Sequence, residues 1–198
     1  MAEHTFRSRL CLLLLLLPCA ALADPAVTTR QVFYRVDGDT ATDIWADIES
    51  KTPVKHDGRW HVAYTKWNVN WRFWWLENTD GCEITRINTT LDVVYTLPKL
   101  THISSLPDAL SRQWNDYYTA LYEHERGHKD IGVKAAIEIE EIISAMAPKA
   151  TCPQLEQAAN DLARNVIQKY SRIEKDYDRR TNHGLNTGVV FPQKNAGK

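Results

Sequence analysis

The chain has no excess of positive charge: 24 lysines and arginines stand against 25 aspartates and glutamates, a formal net charge of −1. That excludes the basic field a nucleic-acid binder or anionic-membrane binder needs. It also lacks an apolar run long enough to span a bilayer. The leucine-rich stretch from Leu10 to Leu17 falls far short of the ~20 residues a spanning helix needs, and Pro18 interrupts it. Cysteine is scarce, four in all, and two of these, Cys11 and Cys19, lie in the same N-terminal stretch.

That stretch has the parts of an export leader. Arg7 and Arg9 precede the leucines, and Ala21-Leu22-Ala23 offers small residues where a signal peptidase reads. Residues 1–23 are therefore expected as a signal peptide, with Asp24 the mature N-terminus and the protein periplasmic or secreted. Cys19 follows Pro18 directly, which argues against a lipoprotein signal. The leader carries Arg7, Arg9 and Glu3, so the mature chain has a formal charge of −2. Cys82 and Cys152 are then the only thiols in an oxidising compartment, and an even pair there points to one disulfide.

Residue periodicity divides the mature chain. Trp67, Val69, Trp71, Phe73 and Trp75 alternate with polar neighbours, as a strand with one apolar face does. Asn78-Thr79-Asp80-Gly81 is turn chemistry, and a second alternation runs through Ile87, Thr89, Leu91, Val93, Tyr95 and Leu97. The two runs are expected as an antiparallel hairpin, preceded by a strand at 32–36 and a small helix at 42–49 capped by Asp39 or Thr40. Beyond Pro98 the period becomes helical. Leu110, Trp114, Tyr117, Leu121, His124, His128, Ile131 and Ala135 share an inward stripe. A second helix carries Leu155, Ala159, Leu162, Val166, Tyr170, Ile173 and Tyr177. The expectation is an α+β domain over 24–184, an N-terminal antiparallel β-meander packed on a long helix and an antiparallel C-terminal helix. Residues 185–198, rich in Gly, Asn and Lys, are expected as a flexible tail. The short link from Leu97 to the long helix forces strand and helix to run oppositely, which brings Cys82 beside Cys152.

On the inward stripe lies His124-Glu125-Arg126-Gly127-His128, the pattern HExxH. Histidines four apart on a helix share one face and can hold one metal ion, with the intervening glutamate in reach of water on that ion. Chance produces the pattern in roughly one chain of this length in a hundred. Zinc is the expected cofactor. The extension that marks metzincins is missing, because Ile131 and Lys134 stand where Gly and a third His would be.

The third ligand must come from elsewhere. Glu138 shares the stripe but is about 15 Å of helix from His128. The returning helix regains the level of His128 near Glu174 and that of His124 near Asp178, and His183 lies just past its end. All three remain candidates, and a carboxylate that does not ligate can orient a histidine from behind. The spacing of Glu174 and Asp178 resembles the second metal-binding helix of gluzincins.

HExxH, the Trp-rich strand, Thr96-Leu97-Pro98 and the segment from Tyr177 to Gly184 together resemble a family of bacterial exported proteins, domain of unknown function 922, described as predicted secreted zinc-dependent proteases. The resemblance covers nearly all of the mature chain. It implies a zincin-like fold and a secreted zinc-dependent protease, and the site residues themselves suggest metal-assisted hydrolysis of a peptide bond, with Glu125 as general base and Tyr177 or His183 donating to the oxyanion. A polypeptide or cell-envelope substrate is expected, acted on by a monomer. The competing reading is a non-catalytic envelope protein with a structural or vestigial metal and a Trp-lined surface. There Trp67, Trp71 and Trp75 are core and Trp74 is the better contact residue. Four protein ligands on the metal favour that reading, and an open position favours the enzyme. A hydrolase acting on a cell-wall amide would use the same chemistry.

Overall fold

The computed structural model describes residues 25–56 and 58–192. The expected leader at 1–23 and the last residues of the tail lie outside them. In chain order the elements are β1 (Ala26–Val36), α1 (Ala41–Lys51), β2 (Lys55–His56), β3 (Arg59–Trp60), β4 (Tyr64–Asn78), β5 (Gly81–Leu100), α2 (Asp108–Ser144) and α3 (Cys152–Thr181). Single 3-10 turns occupy Ile103–Ser105 and Leu185–Thr187.

The alternating runs form the β4–β5 hairpin, paired from Tyr64↔Thr96 to Asn78↔Gly81. On β5, Thr89, Leu91, Val93, Tyr95 and Leu97 are all buried. On β4, Thr65 and Val69 are buried, and Trp67, Trp71 and Phe73 pack half-buried against the same core. The alternation then fails. The pairing there is irregular, with Thr85 of β5 left unpaired opposite the Trp74/Trp75 step, and Trp75, expected in the core, is 42 % exposed although its ring lies 5.9 Å from that of Phe73. Trp74 is also not a free contact surface. The guanidinium carbons of Arg72 and Arg86 lie 5.1 and 3.6 Å from its ring centre, one from each strand of the hairpin.

The sheet is mixed rather than the expected antiparallel meander. Its order is β1-β5-β4, with β1 parallel to β5 from Ala26↔Thr90 to Val36↔Leu100. The small helix is the reason: α1, capped by the Thr40 side chain at Asp43 N, buries Ile44 and Ile48 in the main core. Packed there, α1 and the β2–β3 ribbon carry the chain across to the far edge of β5 before β4 begins. Local alternation holds no record of that crossing, and β1 is exposed along most of its length.

The apolar stripe of α2 packs on β4 and β5, and α3 returns beside it. Thr151 caps α3 at Gln154 N, and Pro153 stands in its first turn, where a missing N–H costs nothing. Cys82 and Cys152 form the expected disulfide, with Cα atoms 5.0 Å apart. Beside it, two backbone hydrogen bonds of 2.8 and 2.9 Å join Cys82 to Lys149. On α3 the inward residue is Ala163, and Leu162 is 36 % exposed.

The described part of the tail packs rather than hanging free. Asn182 and His183 have φ of 50° and 51°, which ends α3 and turns the chain back over α2. Val189 and Phe191 are buried, and the Phe191 ring lies 5.5 Å from Trp114 and 5.1 Å from Tyr117.

Candidate metal centre

On α2, a residue at position i and one at i+4 share a face, and the packed stripe turns His124 and His128 toward α3. Both are buried, with relative exposures of 5 and 8 %. Their Nε2 atoms converge on one acceptor, Asp178 Oδ1, at 3.3 Å from His124 and 3.1 Å from His128. One ligand atom from each of the three residues lies within 4.8 Å of the others. Two imidazole nitrogens and a carboxylate oxygen meeting at that spacing fit a tetrahedral metal ion with one position left over. Among the described residues this is the group able to hold a metal.

Electrostatics tie the three together. Burial disfavours the charge on His128, but hydrogen bonds to Asp178 and Glu174 and the charge of Glu125 outweigh it, lifting its pKa to about 10. Burial likewise works against the Asp178 carboxylate, yet its bonds to His124 and His128 hold it well below the usual carboxylate range. Opposite charges on Asp178 and His128 thus favour each other at this point. A cation would occupy the same place.

Around this centre each neighbouring residue is fixed by its own element. Glu174, one turn before Asp178 on α3, places Oε1 3.3 Å from His128 Nδ1. Accepting from Nδ1–H fixes the tautomer that leaves Nε2 for the metal. The Tyr177 ring stacks on His124, with centroids 5.0 Å apart and planes 12° from parallel. Its hydroxyl donates to the His124 carbonyl at 3.1 Å. That close approach needs Gly127, since a Cβ there would run into the Tyr177 hydroxyl and ring. His183 reaches the edge of the centre: its Nδ1 is 3.8 Å from Asp178 Oδ1, and it is not in the group that shares the 4.8 Å spacing. Glu138 is spent elsewhere, accepting from Lys169 at 2.6 Å and Tyr170 at 3.0 Å.

Glu125 is 4 % exposed. Its Oε2 accepts from the Thr65 hydroxyl at 2.6 Å. Burial raises its pKa, and the Thr65 bond and the charges of His128 and His124 draw it partly back. Thr65 is a site residue the strand assignment did not include. The signal existed, because the phase of Trp67, Val69 and Trp71 extends back to it. His124, Glu125, His128 and Asp178 all open on one cavity of about 460 Å³, together with Tyr64, Thr65 and His183 and an apolar side of Trp45, Trp60, Leu121 and Val189. Burial, then the charges of Glu174, Glu125 and Asp178, raise the Tyr64 pKa, as expected for a phenol facing this acidic group.

The sequence profile of a family described as "Bacterial protein of unknown function (DUF922)" matches residues 31–184. No curated protein and no solved structure matches the chain.

Proposed function

The chain belongs to the DUF922 family, and on the site it carries we propose that it is an exported zinc metallopeptidase. The observation that carries this reading is the placing of Glu125 beside the convergent Nε2, Nε2 and Oδ1 atoms, all opening on one cavity. His124, His128 and Asp178 would hold the ion, with Glu174 orienting His128 from behind. A zinc ion held there would supply Lewis-acid polarisation of the scissile carbonyl and acidification of water. Glu125 would take a proton from water in the cavity as that water attacks the carbonyl and deliver it to the leaving amine nitrogen. Its buried carboxylate, with pKa raised by burial, suits both halves of that transfer.

His183 stands at the cavity edge as the donor to the developing oxyanion. Tyr177, whose hydroxyl goes to the His124 carbonyl, keeps the His124 ring in place. β4 is an edge strand of the sheet, and its first residues, Tyr64 and Thr65, line the cavity. An extended polypeptide can lie along such an edge through main-chain hydrogen bonds. The Cys82–Cys152 disulfide supports an oxidising compartment, as export through the 1–23 leader would provide. No helix among the described residues is long and apolar enough to cross a membrane.

The test compares wild type with Glu125→Gln, both zinc-loaded, on denatured polypeptides. Cleavage by wild type and a loss of about 10²–10⁴-fold in the variant are expected. Equal rates in the two proteins would refute the assignment.

A further inference from the structure

We propose that Trp67 is a positioning residue of the metal centre, fixing Glu174 and through it the His128 ring, so that strand β4 sets the metal affinity from outside the ligand set. The proposal rests on the reading of His124, His128 and Asp178 as a metal site. Its starting point is a single oxygen. Glu174 Oε1 accepts from the Trp67 indole N–H at 2.6 Å and faces His128 Nδ1 at 3.3 Å.

An indole offers one donor and no acceptor, so the whole polar capacity of Trp67 is spent on this carboxylate. Glu174 lines the cavity and its side chain is 26 % exposed. A glutamate in that position has solvent-directed rotamers to choose from. The short bond to Trp67 removes them and holds Oε1 where His128 Nδ1–H must donate. With Nδ1 committed, Nε2 is the ring nitrogen of His128 left to a cation beside Asp178 and His124.

Trp67 is itself held by shape. A Cβ on Gly132 would come within 2.8 and 3.0 Å of Trp67 Cγ and Cδ2 and 3.2 Å of Leu91 Cδ1, so α2 leaves room for the indole only because residue 132 has no side chain. The helix that carries the two histidines thus also seats the tryptophan that steadies one of them. Trp71 supplies an internal control. It lies on the same strand face and also donates to α3, at 3.0 Å, but its acceptor is Asn160 Oδ1, about 20 Å of helix away from Glu174.

The experiment measures zinc dissociation constants by competition with a chromophoric chelator, alongside thermal unfolding of the metal-free proteins. Trp67→Phe is expected to weaken zinc binding by about 10–100-fold. Trp71→Phe, with a comparable loss of thermal stability, is expected to stay within about twofold of wild type. In a Glu174→Ala background, adding Trp67→Phe should change zinc affinity by less than about twofold, because the route through Glu174 is already gone. Should Trp67→Phe fail to fold, Gly132→Ala keeps every polar group and displaces the indole, and it is expected to weaken zinc binding in the same direction. Wild-type affinity in Trp67→Phe, an equal loss in Trp71→Phe, or a further loss in the Glu174→Ala background overturns the proposal while leaving the metal site standing. A wild-type protein that takes up no zinc overturns both.

Discussion

Removing the disulfide by Cys82→Ala/Cys152→Ala should cost stability at one end of the molecule and leave the metal centre alone. The two cysteines are 70 residues apart, and loop-closure entropy for a loop of that length is about 4 kcal/mol at 25 °C. For a domain of this size that corresponds to a fall of about 8–16 °C in Tm. Native geometry has little reason to relax, since the paired backbone bonds between Cys82 and Lys149 survive the change. The loss should therefore come from the unfolded chain's new freedom. The bridge lies by the C-terminal end of α2, and His128 is about 24 Å of helix from Ser144. Urea unfolding of both proteins, with zinc affinity measured in parallel, checks both halves. A loss below about 1 kcal/mol, or a fall in zinc affinity along with stability, would refute the reasoning.

Thr65→Val strips the buried Glu125 carboxylate of its hydroxyl partner and should cost about 1–3 kcal/mol in stability. It should also slow turnover while zinc affinity holds, which separate kinetic and metal titrations would show. Gly127→Ala drives a methyl into the Tyr177 hydroxyl and ring; overpacking of about 1–3 kcal/mol is expected by denaturant unfolding, with weaker zinc binding as His124 loses its stacking partner. His183→Ala should leave zinc affinity within a few-fold and lower kcat by about 10²–10³-fold, as the loss of an oxyanion donor does. A collapse of zinc affinity there would make His183 a ligand instead.

The centre was legible where helix geometry alone decides position. HExxH fixed two convergent imidazoles, and counting 1.5 Å per residue down α2 and back up α3 put Glu174 level with His128 and Asp178 with His124, where both are found. The disulfide followed from the same counting. Strand order was not legible, because alternation reports which face of a strand is buried and says nothing of which edge a neighbour takes. β1 lies parallel on the far side of β5 because α1 and the small ribbon carry the chain across. The 42 % exposure of Trp75 was not legible either, because alternation names the face of a strand and not the point along it where the core ends. The buried tail residues Val189 and Phe191 belong to a three-residue apolar run, Val189-Val190-Phe191, too short to outweigh the Gly, Asn and Lys on either side of it. Trp67 could be assigned to the packed face but not to Glu174, since that bond links strand to helix across 107 positions.

Anomalous diffraction at the zinc edge, from crystals of the zinc-loaded protein, locates the ion and identifies its ligands. A single strong peak is expected about 2.0–2.2 Å from His124 Nε2, His128 Nε2 and a carboxylate oxygen of Asp178, with one position taken by solvent. No peak at that point, or a peak coordinated by His183 in place of Asp178, would contradict the ligand assignment.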